Sequence, residues 1–293
     1  MAVPTIHNVL AMPTPNFTLN ADNPWGVRDC PTWTRIQSRH VRQWDAFNLN
    51  NLSSAFGNIL RQPTSVGMGA MGTDREFRNL AEMKSHAIDS LLKIVEGPVA
   101  TIGQLLGQRL ESVTVVDHVR DVALPEGTRH YTPSLTFYVG TTTRAYLVVS
   151  CVRLSANWTS EGLKEQQANS LSPLCQLAKY AKLSGTRYGF IMTDKEVVVV
   201  RFIVDSTGQY GAEWQAIPQS ASGEGTLTVG LAVWALIMMS LHESHRAVAT
   251  EAETLPINLW WREQGVDGKF TYSHHLSGRE LPYLHSGAVY RDS

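Results

Sequence analysis

The stretch Glu196 to Val204, EVVVVRFIV, constrains the fold more than any other part of the chain. Four consecutive valines favour an extended backbone, and because no polar residue alternates with them, both faces of that strand need cover. A sheet with such a strand near its centre must be packed on both sides, which excludes a helical bundle and a one-sided sheet. Arg187 to Met192 is a second strand, joined to it as a hairpin across Thr193-Asp194-Lys195.

Upstream, Thr73 and Asp74 are plausible caps for a helix whose apolar face runs through Phe77, Leu80, Met83, Ile88, Leu91, Leu92 and Val95 and stops at Gly97-Pro98. A second short helix is predicted from Val99 to Leu110. Three β-rich runs follow, at Val113 to His118, Ser134 to Val139 and Tyr146 to Val152, and together they predict a mixed sheet. Trp158 to Ser184 reads as helix except at Ser172-Pro173, with Gly185 closing it. Leu227 to Ala249 reads as a last long helix, buried and too short to span a bilayer comfortably. The organisation expected is an irregular N-terminal arm at 1–45, a domain at 46–250, and an irregular, aromatic and His-rich C-terminal extension at 251–293.

Charge removes some functional classes. The 293 residues carry 25 Lys and Arg against 26 Asp and Glu, so no global basic field marks a nucleic-acid binder, and such binding needs a local patch. Cys30, Cys151 and Cys175 have no metal-finger spacing and are odd in number, which argues against a disulfide scaffold or a cysteine-rich zinc site. The first 25 residues lack a basic leader region and are interrupted by Pro and Asn, so a signal peptide is not expected. An intracellular location, cytoplasmic or nuclear, with no membrane association, is the expectation.

The order helix, three strands, helix, strand pair, together with Gln176 and Tyr180 in QLAKYAK and the following GTRYGFIMTDKEVVVVRF, resembles the PD-(D/E)XK nuclease superfamily. The similarity is to its RecB-type members with Gln-x-x-x-Tyr, in a fungal-type form, over about residues 75 to 250. The resemblance implies an α+β, restriction-endonuclease-like αβββαβ core, with a mixed central sheet flanked by helices. It also implies a Pro-Asp at the start of one strand and an acid-x-Lys triplet on the next, which hold Mg²⁺ in active members. Here those positions carry Pro133-Ser134 and Cys151-Val152-Arg153. A hydroxyl is neutral, a thiol is soft and arginine stays cationic, whereas magnesium takes hard oxygen ligands. No cofactor is therefore expected, and Ser134, Cys151, Arg153, Gln176 and Tyr180 would line a vestigial pocket.

Two alternatives stay open. Catalytic carboxylates that have migrated would be Asp117, Glu161 or Glu165, with Lys164 or Arg153 beside them, and would bring back Mg²⁺; the competing reading of these groups is solvated surface charge. A protein-interaction role would instead use the aromatic arms containing Trp25, Trp33, Trp260 and Trp261. For nucleic acid, Arg153, Lys179 and Lys182 are the residues expected to converge on the cleft.

Other strings carry less. Gly67 to Gly72 matches a dinucleotide fingerprint without the strand it needs before it, and is expected to be a loop. His242-Glu243-Ser244-His245 lacks metalloprotease spacing and reads as helix surface. Ser273-His274-His275 and His285 read as loop histidines, able to collect a transition metal only if the tail folds over.

Overall fold

The structure, a computed structural model, describes residues 3–19, 30–64, 74–77, 79–110, 116–124, 131–140 and 143–293. In chain order the elements are α1 (Ile6–Leu10), β1 (Phe17–Leu19), β2 (Ile36–Gln43), α2 (Leu49–Leu60), β3 (Arg75–Phe77), α3 (Leu80–Leu110), β4 (Val116–Arg120), β5 (Leu135–Val139) and β6 (Ala145–Val152). They continue with α4 (Glu161–Lys164), α5 (Ser172–Ser184), β7 (Tyr188–Met192), β8 (Glu196–Val204), β9 (Tyr210–Pro218), α6 (Val229–Leu241), β10 (Leu259–Gln264), β11 (Phe270–His274), β12 (Glu280–Leu281) and β13 (Val289–Asp292).

Seven strands form the main sheet in the order β2-β9-β8-β7-β6-β5-β4. Pairing is antiparallel except between β6 and β7 and between β2 and β9, so the sheet is mixed. The valine strand lies inside it, and Val197 to Val200 are each 0% exposed. Its alternate residues go to two separate cores. Val197 and Val199 join Phe190, Met192 and Ile217 in the core shared with α1, α2, α3 and α6, while Val198, Val200 and Phe202 join Ile191 and Trp214 in the core shared with α5. Full burial of a valine contributes about 1.5–3 kcal/mol, so this one run anchors both layers.

The flanking helices follow from local chemistry. In α6 every residue from Val229 to Ser240 is buried, as expected of a helix apolar all round, and Thr228 caps it by accepting from the Leu231 N–H at 3.3 Å. In α5 a proline sits in the first turn and Gly185 ends the helix in the left-handed region at φ 66°.

Several expectations need correction. The helix does not stop at Gly97-Pro98, since α3 runs unbroken through Pro98. Gly97 has no side chain to clash with the proline ring, and Ile94, Val95, Val99 and Ile102 anchor both sides in the core. The first 45 residues are not an irregular arm: Ile6, Val9 and Leu10 are 0% exposed, and β2 extends the main sheet. Residues 251–293 likewise include a four-stranded sheet, β12-β11-β10-β13. Of the helix expected over 158–184, only the single turn α4, a 3-10 turn at Ala168–Leu171 and α5 are helical. The last helix ends at Leu241. The glycine-rich string at 67–72, Trp25, and the first residues of the run from Val113 lie outside the described residues. No helix among the described residues is long and apolar enough to cross a membrane.

Strand β9 was not foreseen, and it carries a charge into the interior. Glu213 accepts from Arg42 at 2.8 Å and also from Arg201, whose guanidinium lies 4.4 Å from the centre of the Trp44 ring. Removing one partner of such a buried set costs about 3–5 kcal/mol, because the remaining charge is left uncompensated.

Close approach of α6 to α1 and α3 depends on Gly230. A Cβ there would lie 2.6 Å from Ile94 Cγ2 and 2.8 Å from the Leu10 carbonyl oxygen. Alanine gains about 1 kcal/mol in helix propensity, but overpacking costs about 1–3 kcal/mol and one of the clashing atoms is backbone. Urea unfolding of Gly230→Ala is therefore expected to show a net loss of about 1–2 kcal/mol, while Gly225→Ala, with nothing within 4 Å, changes little.

Candidate functional site

Ser134, Cys151, Arg153, Gln176 and Tyr180 meet where the start of β5, the end of β6 and one face of α5 come together. Backbone pairing sets the first two. The Ser134 N–H donates to the Ser150 carbonyl at 2.9 Å, and the Ser134 hydroxyl accepts from the Val152 N–H at 3.2 Å. Alternation along β6 sends Val152 to the α3/α6 core and Cys151 to the α5 core. Arg153, two residues after Cys151, is held by its N–H to the Met192 carbonyl at 2.8 Å, and its charge is felt at both Cys151 and Tyr180.

On α5 the spacing of four residues brings Gln176 and Tyr180 onto one face, and Gln176 Nε2 donates to the Tyr180 hydroxyl at 2.7 Å. Burial, with the neighbouring Cys151 adding to it, pushes the phenol up to about 12 against the hydrogen bonds from Gln176 and Thr132, so it stays neutral. Burial likewise raises the Cys151 thiol, which is 2% exposed, and Arg153 and Lys84 only partly oppose it. The side chains gathered here are thus a hydroxyl, a protonated thiol, a phenol, a carboxamide and a guanidinium. That donor set does not suit Mg²⁺, which needs oxygen ligands bearing negative charge. Among the described residues, no group of three or more His, Cys, Asp or Glu is placed to hold a metal ion.

Two polar atoms in this cluster are left over. Arg153 Nε and Gln176 Oε1 are buried and find no hydrogen-bond partner among the described residues. A buried orphan donor or acceptor costs about 1–3 kcal/mol, so each of these atoms calls for an explanation.

The other candidates are dispersed. Asp117, on the outermost strand β4, accepts from the His118 N–H at 2.7 Å and from the Tyr138 hydroxyl at 2.9 Å. The backbone bond from His118 holds its carboxyl below the usual range. It pairs with Tyr138, at the opposite end of β5 from Ser134. Glu161 and Glu165 are exposed; the first is paired with Lys164 at 2.9 Å and the second accepts from Gln167. They line a separate polar cleft of about 270 Å³ with Asn157, Thr159 and Asn169. The β7–β8 hairpin ties that loop down, Asp194 accepting from the Ser155 N–H and hydroxyl and Glu196 from those of Ser160, at 2.6–2.7 Å. Asp117 is therefore not brought to the Glu161–Glu165 cleft.

Of the basic residues, Lys179 places its ammonium 5.0 Å from the centre of the Tyr131 ring, in the segment leading to Ser134. Lys182 is exposed in the last turn of α5. Sequence reasoning missed the ion pair between Lys84 on α3 and Asp121 just after β4. Asp121 has a positive φ of 46°, a conformation Asp tolerates better than most residues, and Lys84 is near enough to act on the Cys151 thiol. Only the sequence position of Asp121 at a strand end hinted at it. Trp260, expected on a binding arm, is 0% exposed and packs edge-on to His274 at 4.8 Å; Trp33 and Trp261 are half-buried.

No protein-family model matches the chain, and no curated protein matches it.

Burial at Cys151 has a direct chemical consequence. In the native protein at pH 8, a thiol reagent is expected to modify Cys30 and to reach Cys151 and Cys175, both buried, only on unfolding. Mass mapping after a short exposure checks this, and Cys151 labelled as fast as Cys30 would mean that the cleft is open to solvent.

Proposed function

We propose that the chain is a catalytically degenerate protein of the fungal-type PD-(D/E)XK nuclease-like kind, intracellular, in which the former active-site cleft binds rather than cleaves. The observation that carries this reading is the donor set gathered around a neutral Tyr180 and Cys151, in which Arg153 Nε and Gln176 Oε1 are each buried without a hydrogen-bond partner among the described residues. With Ser134 and Cys151 where the metal-binding acids would stand and Arg153 where the lysine would, a fixed cation is left without carboxylates, which favours direct contact with an anionic group and disfavours a divalent cation. The order α3, β4, β5, β6, α5, β7 supports the same reading, since it follows the αβββαβ layout with Ser134 and Cys151 at the two motif positions.

The group such a cleft takes most readily is a phosphate of a nucleic-acid backbone, approached by Arg153 with Lys179 and Lys182 along the rim. This is a sequence-tolerant mode of binding, and it needs only a local basic site in a chain of near-zero net charge.

Calorimetric titration with Mg²⁺ and Mn²⁺, run beside cleavage and binding assays on labelled single- and double-stranded DNA and RNA, tests the proposal. We expect no specific divalent binding, no cleavage, and affinity that falls with salt, with Arg153→Gln lowering the salt slope by about one. Cleavage that disappears in Asp117→Asn or Glu165→Gln would replace the proposal with a migrated active site. Binding to neither nucleic acid nor metal would overturn the phosphate reading.

A further inference from the structure

Five histidines, far apart in sequence, form a continuous contact chain where the C-terminal sheet meets the end of α6. Ring centres are 4.8 Å apart between His242 and His245, 4.9 Å between His245 and His275, and 5.0 Å between His275 and His274. Trp260 continues it, at 4.8 Å from His274 and 5.9 Å from His285. His245 was expected on a helix surface and His274 in a loop. Instead both are buried, at 8% and 2% exposure.

Hydrogen bonding fixes the protonation of the central rings. His275 Nε2 lies 2.9 Å from the Pro256 carbonyl and must donate to it, so in the neutral ring Nδ1 is a lone pair. That lone pair faces His245 Nε2 at 3.3 Å, which therefore carries a hydrogen. His274 Nε2 donates to the Ile257 carbonyl at 2.7 Å, and its Nδ1 faces the N–H groups of Leu276 and Ser277 at 3.3 and 3.4 Å. A proton added to His274 Nδ1 would thus point at two backbone donors, with the Ser277 hydroxyl, 3.3 Å away, the one contact among the described residues able to accept from it. A proton added to His275 Nδ1 would point at a third donor unless His245 changed tautomer, and the two rings cannot both be charged in this geometry.

Among the described residues no carboxylate is seen to compensate these rings. The groups facing the chain are His242 and Arg246 from the end of α6, Arg187 before β7, Arg201 on β8, and His285 and Arg279 from the C-terminal sheet. Of the nearby acids, Glu213 is committed to Arg201 and Arg42, Glu251 to Arg42, and Glu253 to the backbone N–H and hydroxyl of Thr250, while Glu243, between His242 and His245, is exposed to solvent.

We propose that this histidine chain is a proton-operated clasp, which holds the C-terminal sheet on α2 and the end of α6 at neutral pH and releases it on acidification. The remaining attachments do not depend on a histidine: Ser277 Oγ donates to the Ala55 carbonyl and Arg279 to the Ser54 carbonyl of α2, and Arg201 donates to the Leu255 carbonyl at 3.3 Å. Release would uncover Ile257, Leu259 and Trp260, each at most 1% exposed in the docked state, and so present a new apolar surface.

The direction follows from linkage. Burial lowers His245 and His274 to about 4 and His275 to about 2, below the free value of 6.5, so the released state binds more protons. Docking is fully favoured above about pH 6.5 and weakens as pH falls toward 4, by up to about tenfold per pH unit for each ring.

Hydrogen exchange of the full chain between pH 7.5 and 4.5, corrected for intrinsic rates, tests the clasp. Peptides from 257–281 are expected to match α6 in protection at pH 7.5 and to exchange at least tenfold faster by pH 5, while β7 and β8 stay protected. His275→Gln keeps a neutral donor for the Pro256 carbonyl and should suppress the acid response by about tenfold; His40→Gln, on β2, should leave it unchanged. Opening of 257–281 together with β7 and β8, or an unchanged acid profile in His275→Gln, overturns the proposal. Where that variant does not fold, the wild-type ring titrations decide. His274 and His275 should stay neutral until the sheet releases, and either ring titrating near pH 6.5 in the docked protein overturns the clasp.

Discussion

Burial of β8 on both faces is the constraint on which the rest of the structure depends. Because Val197 and Val199 go to one core and Val198 and Val200 to the other, the sheet must carry α1, α2, α3 and α6 on one side and α5 on the other. That requirement creates the candidate site. With α5 laid across the sheet, the α5-facing residues at the end of β6 meet the Gln176–Tyr180 face, and the side-chain cluster is a by-product of two-sided cover rather than of a dedicated loop. Once the layers are fixed, the chemistry at the cleft is decided by a few side chains. In this chain those are Ser134, Cys151 and Arg153, which supply no negative charge.

Polar groups in the interior fall into two kinds, and the difference is energetic. Arg201, Glu213 and Arg42 balance one another, and Thr186, Thr228 and Ser240 donate to backbone carbonyls at 2.6–2.7 Å, so these are closed arrangements that hold the layers in register. Arg153 Nε and Gln176 Oε1 are open, as are the core indole N–H groups of Trp44 and Trp234, and what sets the first two apart is that they belong to a cluster of polar side chains. His274 and His275, at the centre of the histidine chain, are satisfied only while their rings are neutral, whereas Trp260 Nε1 and His285 Nδ1 beside them have no hydrogen-bond partner among the described residues. Stability is thus concentrated in the valine strands and closed pairs, and responsiveness in the open or titratable ones.

What the sequence disclosed tracks how local the determining physics is. The β7–β8 hairpin, the strands at β5 and β6, and the Gln176–Tyr180 face were legible because each rests on a run of β-branched residues or an i, i+4 spacing. Strands β2 and β9 were not, since IQSRHVRQ is polar and β9 buries Glu213 only because Arg201 and Arg42 arrive from other strands. Pro98 misled because tertiary anchoring on both sides outweighs its local preference. The histidines were unreadable for the same reason as Glu213: His245 and His275 are 30 positions apart, and no local pattern says that one will meet the other. At the cleft, the identities at the two motif positions were legible, whereas the Lys84–Asp121 pair, 37 positions apart, was not.

The proposal under test is that Ser134, Cys151 and Arg153 stand at the positions of a metal-binding nuclease centre and lack only its chemistry. The most direct test is to restore that chemistry with Ser134→Asp, Cys151→Asp and Arg153→Lys together, and to titrate Mn²⁺ into the folded triple variant and the parent by calorimetry. The account predicts a specific divalent site in the variant and none in the parent. A folded variant that binds no metal, or a parent that binds it equally well, would contradict it.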